Sequence, residues 1–162
     1  MAFAPNFDEN MKKVLDKKAP EYKWIPGWHP KGERWKVDVA GLPKRGGRPL
    51  VLVEAELKRD DPVGNVVKVW RWARDGNNTQ RILFVQAFSK HYWQTKVRQR
   101  ERAIFVGEQM MDDRRLHIKY EWTRMKYRPK MVRGHRTKEG AGRMVLAAQL
   151  LAKKVARLVH PT

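Results

Sequence analysis

Seven consecutive residues, Ile82 to Phe88, carry no charge and a single polar side chain, Gln86. A run this short and this continuously apolar is the mark of a strand buried on both faces. Such a strand needs cover above and below, and the rest of the chain must supply it. Phe7, Met11, Val14 and Leu15 recur at helical spacing, which predicts a helix over 7–18 that Pro20 ends. Tyr22 to Ile25 predicts a short strand before the turn-prone Pro26-Gly27. Trp35, Val37 and Val39 alternate with Arg34, Lys36 and Asp38, the period of a second strand. Pro43 to Pro49, with Gly46-Gly47, reads as a hairpin-like connection.

Leu50 to Leu57 is the third strand. Val51, Val53, Ala55 and Leu57 face one way, and Leu52, Glu54, Glu56 and Lys58 the other. Asp60-Asp61-Pro62 marks a helix start, with Pro near the first turn. Val66, Val69, Trp70 and Ala73 form that helix's apolar stripe, which ends near Asp75-Gly76. Beyond Phe88 a helical region runs from about His91 to Met111, although Ala103 to Val106 also reads as strand. Leu116 to Trp122 alternates weakly, as a further strand. Arg128 to Gly142 is rich in Gly, Lys and Arg and reads as a mobile basic loop, and Met144 to Val159 is an Ala/Leu-rich helix. No repeat and no boundary divides residues 1–162, so the chain is expected to be one domain with a core over about 7–88.

The charge points to a partner. With 36 Lys+Arg against 17 Asp+Glu the formal net charge is +19, a strong positive field for a small domain. Nucleic acid is the usual partner, because neutralising phosphates releases condensed counterions. An anionic membrane would ask for one amphipathic basic helix, whereas here the charge runs along the whole chain. No stretch of uncharged apolar residues is long enough for a transmembrane helix. The first ten residues lack a secretion-signal pattern, so a cytoplasmic, nucleoid-associated location is expected. The absence of Cys excludes disulfides, thiolate zinc sites and cysteine nucleophiles.

The acids are unevenly placed. Residues 1–113 hold 22 basic and 15 acidic side chains, and residues 114–162 hold 14 basic and 2 acidic. Several acids cluster between Asp38 and Asp61, where they would repel phosphate unless a cation screened them. Asp38 ends one predicted strand and Glu56-Leu57-Lys58 ends the next. Residues two apart on a strand share a face, so Glu56 and Lys58 lie side by side. If the two strands pair as a hairpin, Asp38 comes close to Glu56. Oxygen ligands without Cys or paired His suit Mg²⁺ or Mn²⁺. Glu54, one pleat deeper on the same face, is a second candidate ligand or a group that fixes Lys58. The bland alternative is a solvated edge strand with ion pairs along it.

Asp38 followed by Glu56-Leu57-Lys58, within the order helix, three strands, helix, strand, resembles the PD-(D/E)XK nuclease superfamily over roughly residues 7–88. The resemblance implies an α/β restriction-endonuclease-like core, a mixed sheet flanked by helices, with additional C-terminal strand and helices beyond it. It implies a Mg²⁺-dependent endonuclease that hydrolyses DNA phosphodiester bonds, of junction-resolving, homing or restriction type. Asp38, Glu56 and the backbone carbonyl of Leu57 would bind the metal, with Mn²⁺ as a substitute, and Lys58 would act on the attacking water. Val37 stands where the family often has Pro. Family Glu residues in the first helix assist some resolvases, and Glu9 is the only obvious counterpart here, but helical geometry sets it nearly opposite Phe7 and Met11, so it is expected to be exposed.

Lys68, Arg71, Arg128, Lys130, Arg133, Arg136, Lys138 and Arg143 are the candidate contacts to nucleic acid, expected to be double-stranded or branched DNA. Trp28, between Gly27 and His29-Pro30, is the Trp most expected to be exposed for stacking on bases. Cutting both strands of a duplex generally takes two active sites, so a homodimer or higher homo-oligomer is expected. The rival from another class is a non-catalytic basic nucleic-acid-binding protein, ribosome- or nucleoid-associated, whose acids are structural.

Overall fold

Every residue from Ile82 to Phe88 is buried, and the run is the fourth strand of a five-stranded sheet. The computed structural model describes residues 7–58, 61–76, 79–129, 131–132, 135–136 and 138–160. In chain order the elements are α1 (Phe7–Lys18), β1 (Tyr22–Trp28), β2 (Val37–Pro43), β3 (Leu50–Glu56), α2 (Pro62–Asp75) and β4 (Ile82–Phe88). There follow α3 (Lys90–Gln94), α4 (Val97–Met111), β5 (Ile118–Arg124), the short β6 (Met131–Val132) and β7 (His135–Arg136), and α5 (Lys138–Val159).

The sheet runs in the order β1-β2-β3-β4-β5. β1, β2 and β3 are antiparallel neighbours, whereas β3, β4 and β5 are parallel, so the sheet is mixed. A parallel pair needs a crossover, and here α2 and then α3–α4 provide the two. α1 and α5 cover one face, where Met11, Leu15, Val51, Val53, Val85, Ala148 and Val155 form a core. α2 and α4 cover the other, over Leu52, Val66, Val69, Phe84, Ala103 and Met110. The two faces read from β3 are therefore the two cores: Val51 and Val53 lie in one, Leu50 and Leu52 in the other. The chain is thus α/β, an open mixed sheet between helices.

Local chemistry explains the boundaries that hold the site. The Asp61 side chain caps α2 by accepting from the Gly64 amide at 3.0 Å, with Pro62 at the first turn. Ala103 to Val106 is helix, because Ala103, Gly107 and Met110 fall at helical spacing on the buried face of α4. α5 begins at Lys138, six residues before the predicted start. Gly140 and Gly142 each cost a helix about 1 kcal/mol, and tertiary packing overrides that; Gly140 is buried. Of the loop predicted over Arg128 to Gly142, residues 131–132 and 135–136 pair as a small antiparallel ribbon, while 130, 133, 134 and 137 lie outside the described residues.

Gly107 is a close approach. A Cβ there would lie 2.3 Å from the Tyr120 ring of β5. Bare backbone lets Tyr120 lie across α4 and reach Gln86 on β4, whose Oε1 accepts from the phenol at 2.8 Å. Gly107→Ala should therefore destabilise the fold by about 1–3 kcal/mol, the usual cost of overpacking. Urea denaturation measures it, and an unchanged midpoint would mean that Tyr120 has room to move.

Candidate active site at the end of β3

The β2–β3 ladder stops short. Its pairs are Val39↔Val53, Ala40↔Leu52 and Gly41↔Val51. Past Val53 the β3 amides need another acceptor, because a buried N–H left unpaired is costly. Asp38 supplies it: its Oδ2 accepts from the Ala55 amide at 2.7 Å. This wedges Asp38 against β3 next to Glu54. Continuing the register one residue sets Asp38 opposite Glu54 rather than Glu56.

Glu54 is 2% exposed and Glu56 is 1% exposed. Buried carboxylates demand partners, and each finds a different one. Lys68, reaching down from α2, forms an ion pair with Glu54. Its ammonium also donates to Asn65 Oδ1 at 2.7 Å and to the Lys36 carbonyl at 2.8 Å. Three acceptors match the three protons of an ammonium and set its direction. Glu56 Oε1 accepts from Asn65 Nδ2 at 2.6 Å and from Gln86 Nε2 at 2.8 Å. Asn65 thus bridges the two halves: its amide oxygen holds Lys68 while its amide nitrogen holds Glu56.

The electrostatics follow from crowding. Burial, then the charge of Asp38, pushes the Glu54 carboxyl well above the ordinary carboxylate range, against the pull of Lys68. Asp8, on the first turn of α1, is pushed up to about 7 by burial and then by Asp38. Burial and the charge of Glu56 raise the Tyr120 phenol, which stays protonated to donate to Gln86. Asp8 and Glu54 thus each feel the charge of Asp38, opposed by the Lys36 ammonium at Asp8 and by the Lys68 ammonium at Glu54.

The predicted residues divide. Asp38 and Glu54 come together, and Lys68 joins them. Glu56 shares their face but is held by two amides. Leu57 lies just past the strand, and its carbonyl accepts from the Ser89 hydroxyl at 2.6 Å. Lys58 lies in the bend after β3 and is exposed. Glu9 is exposed, as its position nearly opposite Phe7 and Met11 predicts, and the neighbouring Asp8 is half-buried and feels the charge of Asp38. The signal for Asp8 was present: it stands three and seven residues before Met11 and Leu15, on the side of the helix that is buried. Gln86 and Tyr120 carried no such signal, because their role exists only once β4 and β5 pair.

Lys68 is also part of the wall of a cleft of about 550 Å³, with Trp35, Trp72, Arg71 and Lys31. Lys68 lies over the Trp35 ring, 5.5 Å from its centre. Arg71 is exposed and pairs with Asp75 at 3.4 Å. Trp28 is half-buried, edge-on to Trp72 with ring centres 6.2 Å apart, because the helix after β3 covers it. Trp122 is the more exposed ring, at 41%. Arg128 donates to Gln94 at 2.9 Å, and Arg143 projects from α5. Arg136 lies on β7 and Lys138 opens α5, while Lys130 and Arg133 lie outside the described residues.

Among the described residues no three His, Cys, Asp or Glu side chains form a ready-made metal cage. Two carboxylates on adjacent strands nevertheless fit Mg²⁺, which keeps several waters and binds through one or two carboxylates plus substrate phosphate. No helix among the described residues is long and apolar enough to cross a membrane. Comparison with protein-family models, with curated proteins and with solved structures finds no match.

Proposed function

We propose that the chain is a Mg²⁺-dependent endonuclease of the PD-(D/E)XK type, acting on DNA phosphodiester bonds, with its site centred on Asp38, Glu54 and Lys68. The observation that carries this reading is that two carboxylates, Asp38 and Glu54, lie at the end of adjacent strands close enough to feel each other's charge, with an ammonium fixed beside Glu54. It keeps the chemistry expected from the sequence and moves it one pleat inward. Asp38 and Glu54 would hold the metal, with Mn²⁺ as a substitute, and Asp8 adds negative charge beside Asp38. A bound divalent cation supplies polarisation of the phosphodiester and a lowered pKa for attacking water.

The protein's own groups do the rest. Lys68, positioned by Asn65 and the Lys36 carbonyl, presents positive charge where negative charge develops on the phosphate. Asn65 and Gln86 keep Glu56 in place, which in turn keeps Asn65 directed at Lys68. Lys31 and Arg71, on the cleft wall, neutralise the flanking phosphates. Two such sites are needed for both strands of a duplex, and a homodimer in the nucleoid would supply them.

One observation favours the rival reading of a passive binding protein. Every proton of the Lys68 ammonium already has an acceptor, as in a structural ion pair. Incubation with plasmid and with branched DNA in Mg²⁺, Mn²⁺, Ca²⁺ and EDTA decides between them. Cleavage in Mg²⁺ or Mn²⁺ and none in EDTA is the expected result; gel shifts without cleavage in any metal would leave the binding protein.

A further inference from the structure

We propose a second binding site, a groove that holds a single strand of nucleic acid between α5 and the end of β5. The groove has a volume of about 760 Å³. Lys90, Arg124, Lys126 and Arg128 line one side, and Arg143, Lys154 and Arg157 come from α5. No acid is among the described residues that line it. Its floor is apolar: Leu146 and Leu150 are 55% and 52% exposed on α5, with Met125 and Tyr127 beside them.

The combination selects the ligand. Cations without acids call for a polyanion. A duplex presents phosphates outward and hides its bases, so two exposed leucines between the cations would gain nothing from it. A single strand offers both, phosphates to the rim and base faces to the floor. At its edge Arg124 and Arg100 lie over the Trp93 ring at 3.6 and 3.7 Å, and the neighbouring Trp122 is the exposed ring, an aromatic surface of the kind on which bases stack. A second copy of the chain is a poor occupant, because it would oppose the same cations to themselves.

The groove lies on the α5 side of the sheet, and Lys90 connects it to the backbone end of β3. Lys90 follows Ser89, whose amide donates to the Glu56 carbonyl at 3.0 Å and whose hydroxyl donates to Leu57. Arg143 and Arg157 are separated by fourteen residues of helix, about 21 Å at 1.5 Å per residue. That length takes a handful of nucleotides, comparable to the small single-strand sites of other folds. The inference rests on the nuclease reading only for the source of the strand, one displaced or branched from the duplex that is cut.

The test uses fluorescence anisotropy in EDTA, with a labelled oligothymidylate and a hairpin duplex of equal length. Leu146→Ser with Leu150→Ser should weaken single-strand binding on the order of tenfold and leave duplex binding unchanged. Arg143→Ala with Arg157→Ala should flatten the log–log salt dependence for the single strand by about 0.7 per lost contact. Unchanged single-strand affinity in both variants would overturn the groove. So would a shift from dimer to monomer in the leucine variant, which would make the face an interface between copies. Binding is measured without metal, so it stands apart from cleavage. Strand binding through the groove with no cleavage in Mg²⁺ overturns only the nuclease reading, and cleavage with indifferent groove variants overturns only the groove.

Discussion

Asp38→Asn should abolish the proposed metal-dependent cleavage while DNA binding survives. The loss should be a thousandfold or more, on the order of 4 kcal/mol of transition-state stabilisation, since a metal's charge is worth several kcal/mol to the reaction. The amide keeps an oxygen for the Ala55 N–H, so the end of β3 stays closed. It removes a charge that faces a polyanion, so gel-shift affinity in EDTA should hold or rise. It also relieves Asp8 and Glu54, whose carboxyls Asp38 pushes up. A carboxyl raised in the folded state costs stability as pH climbs from its unfolded value through its folded one. For Asp8 that window runs from 3.8 to about 7, so at pH above it the wild type bears the full cost. Asp38→Asn should then melt no lower than wild type in EDTA at alkaline pH. Cleavage at the wild-type rate would remove Asp38 from the chemistry, and a large fall in melting temperature would make it a structural residue.

The parts of the fold that could be read ahead are those written in local periodicity. α1 and β4 run from Phe7 to Lys18 and from Ile82 to Phe88, the predicted limits, because Pro20 closes the first and the second lies between Arg81 and Ser89, the cap of α3. The two faces of β3 follow from its alternation alone. The partner of Asp38 does not. Shifting a hairpin by two residues keeps every side chain on its face, so alternation allows either Glu54 or Glu56 opposite Asp38. The observed register depends on where the β2–β3 ladder ends, at Val39↔Val53. Lys68 shows the same limit. On α2 its spacing suits a solvated face or a phosphate contact equally, and only the placing of that helix over β3 turns it inward to Glu54. The Tyr120–Gln86–Glu56 chain joins three strands and is invisible to any window along the sequence.

Lys68 and Lys58 compete for the role of the active-site ammonium, and their alanine variants should part widely. Lys58 follows the strand and is exposed, so Lys58→Ala should keep wild-type stability and most of the activity. Lys68→Ala should lower kcat on the order of a hundredfold or more, by removing charge stabilisation worth a few kcal/mol at the phosphate. It should also destabilise the metal-free protein, by up to about 3–5 kcal/mol at alkaline pH, where Glu54 is an ion without its partner, and by less at lower pH, where the raised carboxyl takes a proton. The Glu54 carboxylate, 3% exposed against 15% for Lys68, is the group left behind. Two controls separate chemistry from folding. Lys68→Met with Glu54→Gln replaces the pair by neutral groups and should restore most of the stability and none of the cleavage. Mg²⁺ should raise the melting temperature of Lys68→Ala more than that of wild type, since a cation then meets an unpaired carboxylate with no ammonium competing for it. If cleavage is lost in Lys58→Ala and kept in Lys68→Ala, the working ammonium is the one on the bend after β3, and Lys68 only holds α2 to the sheet. If Mg²⁺ stabilises neither protein, Glu54 binds no metal and the buried pair is structural.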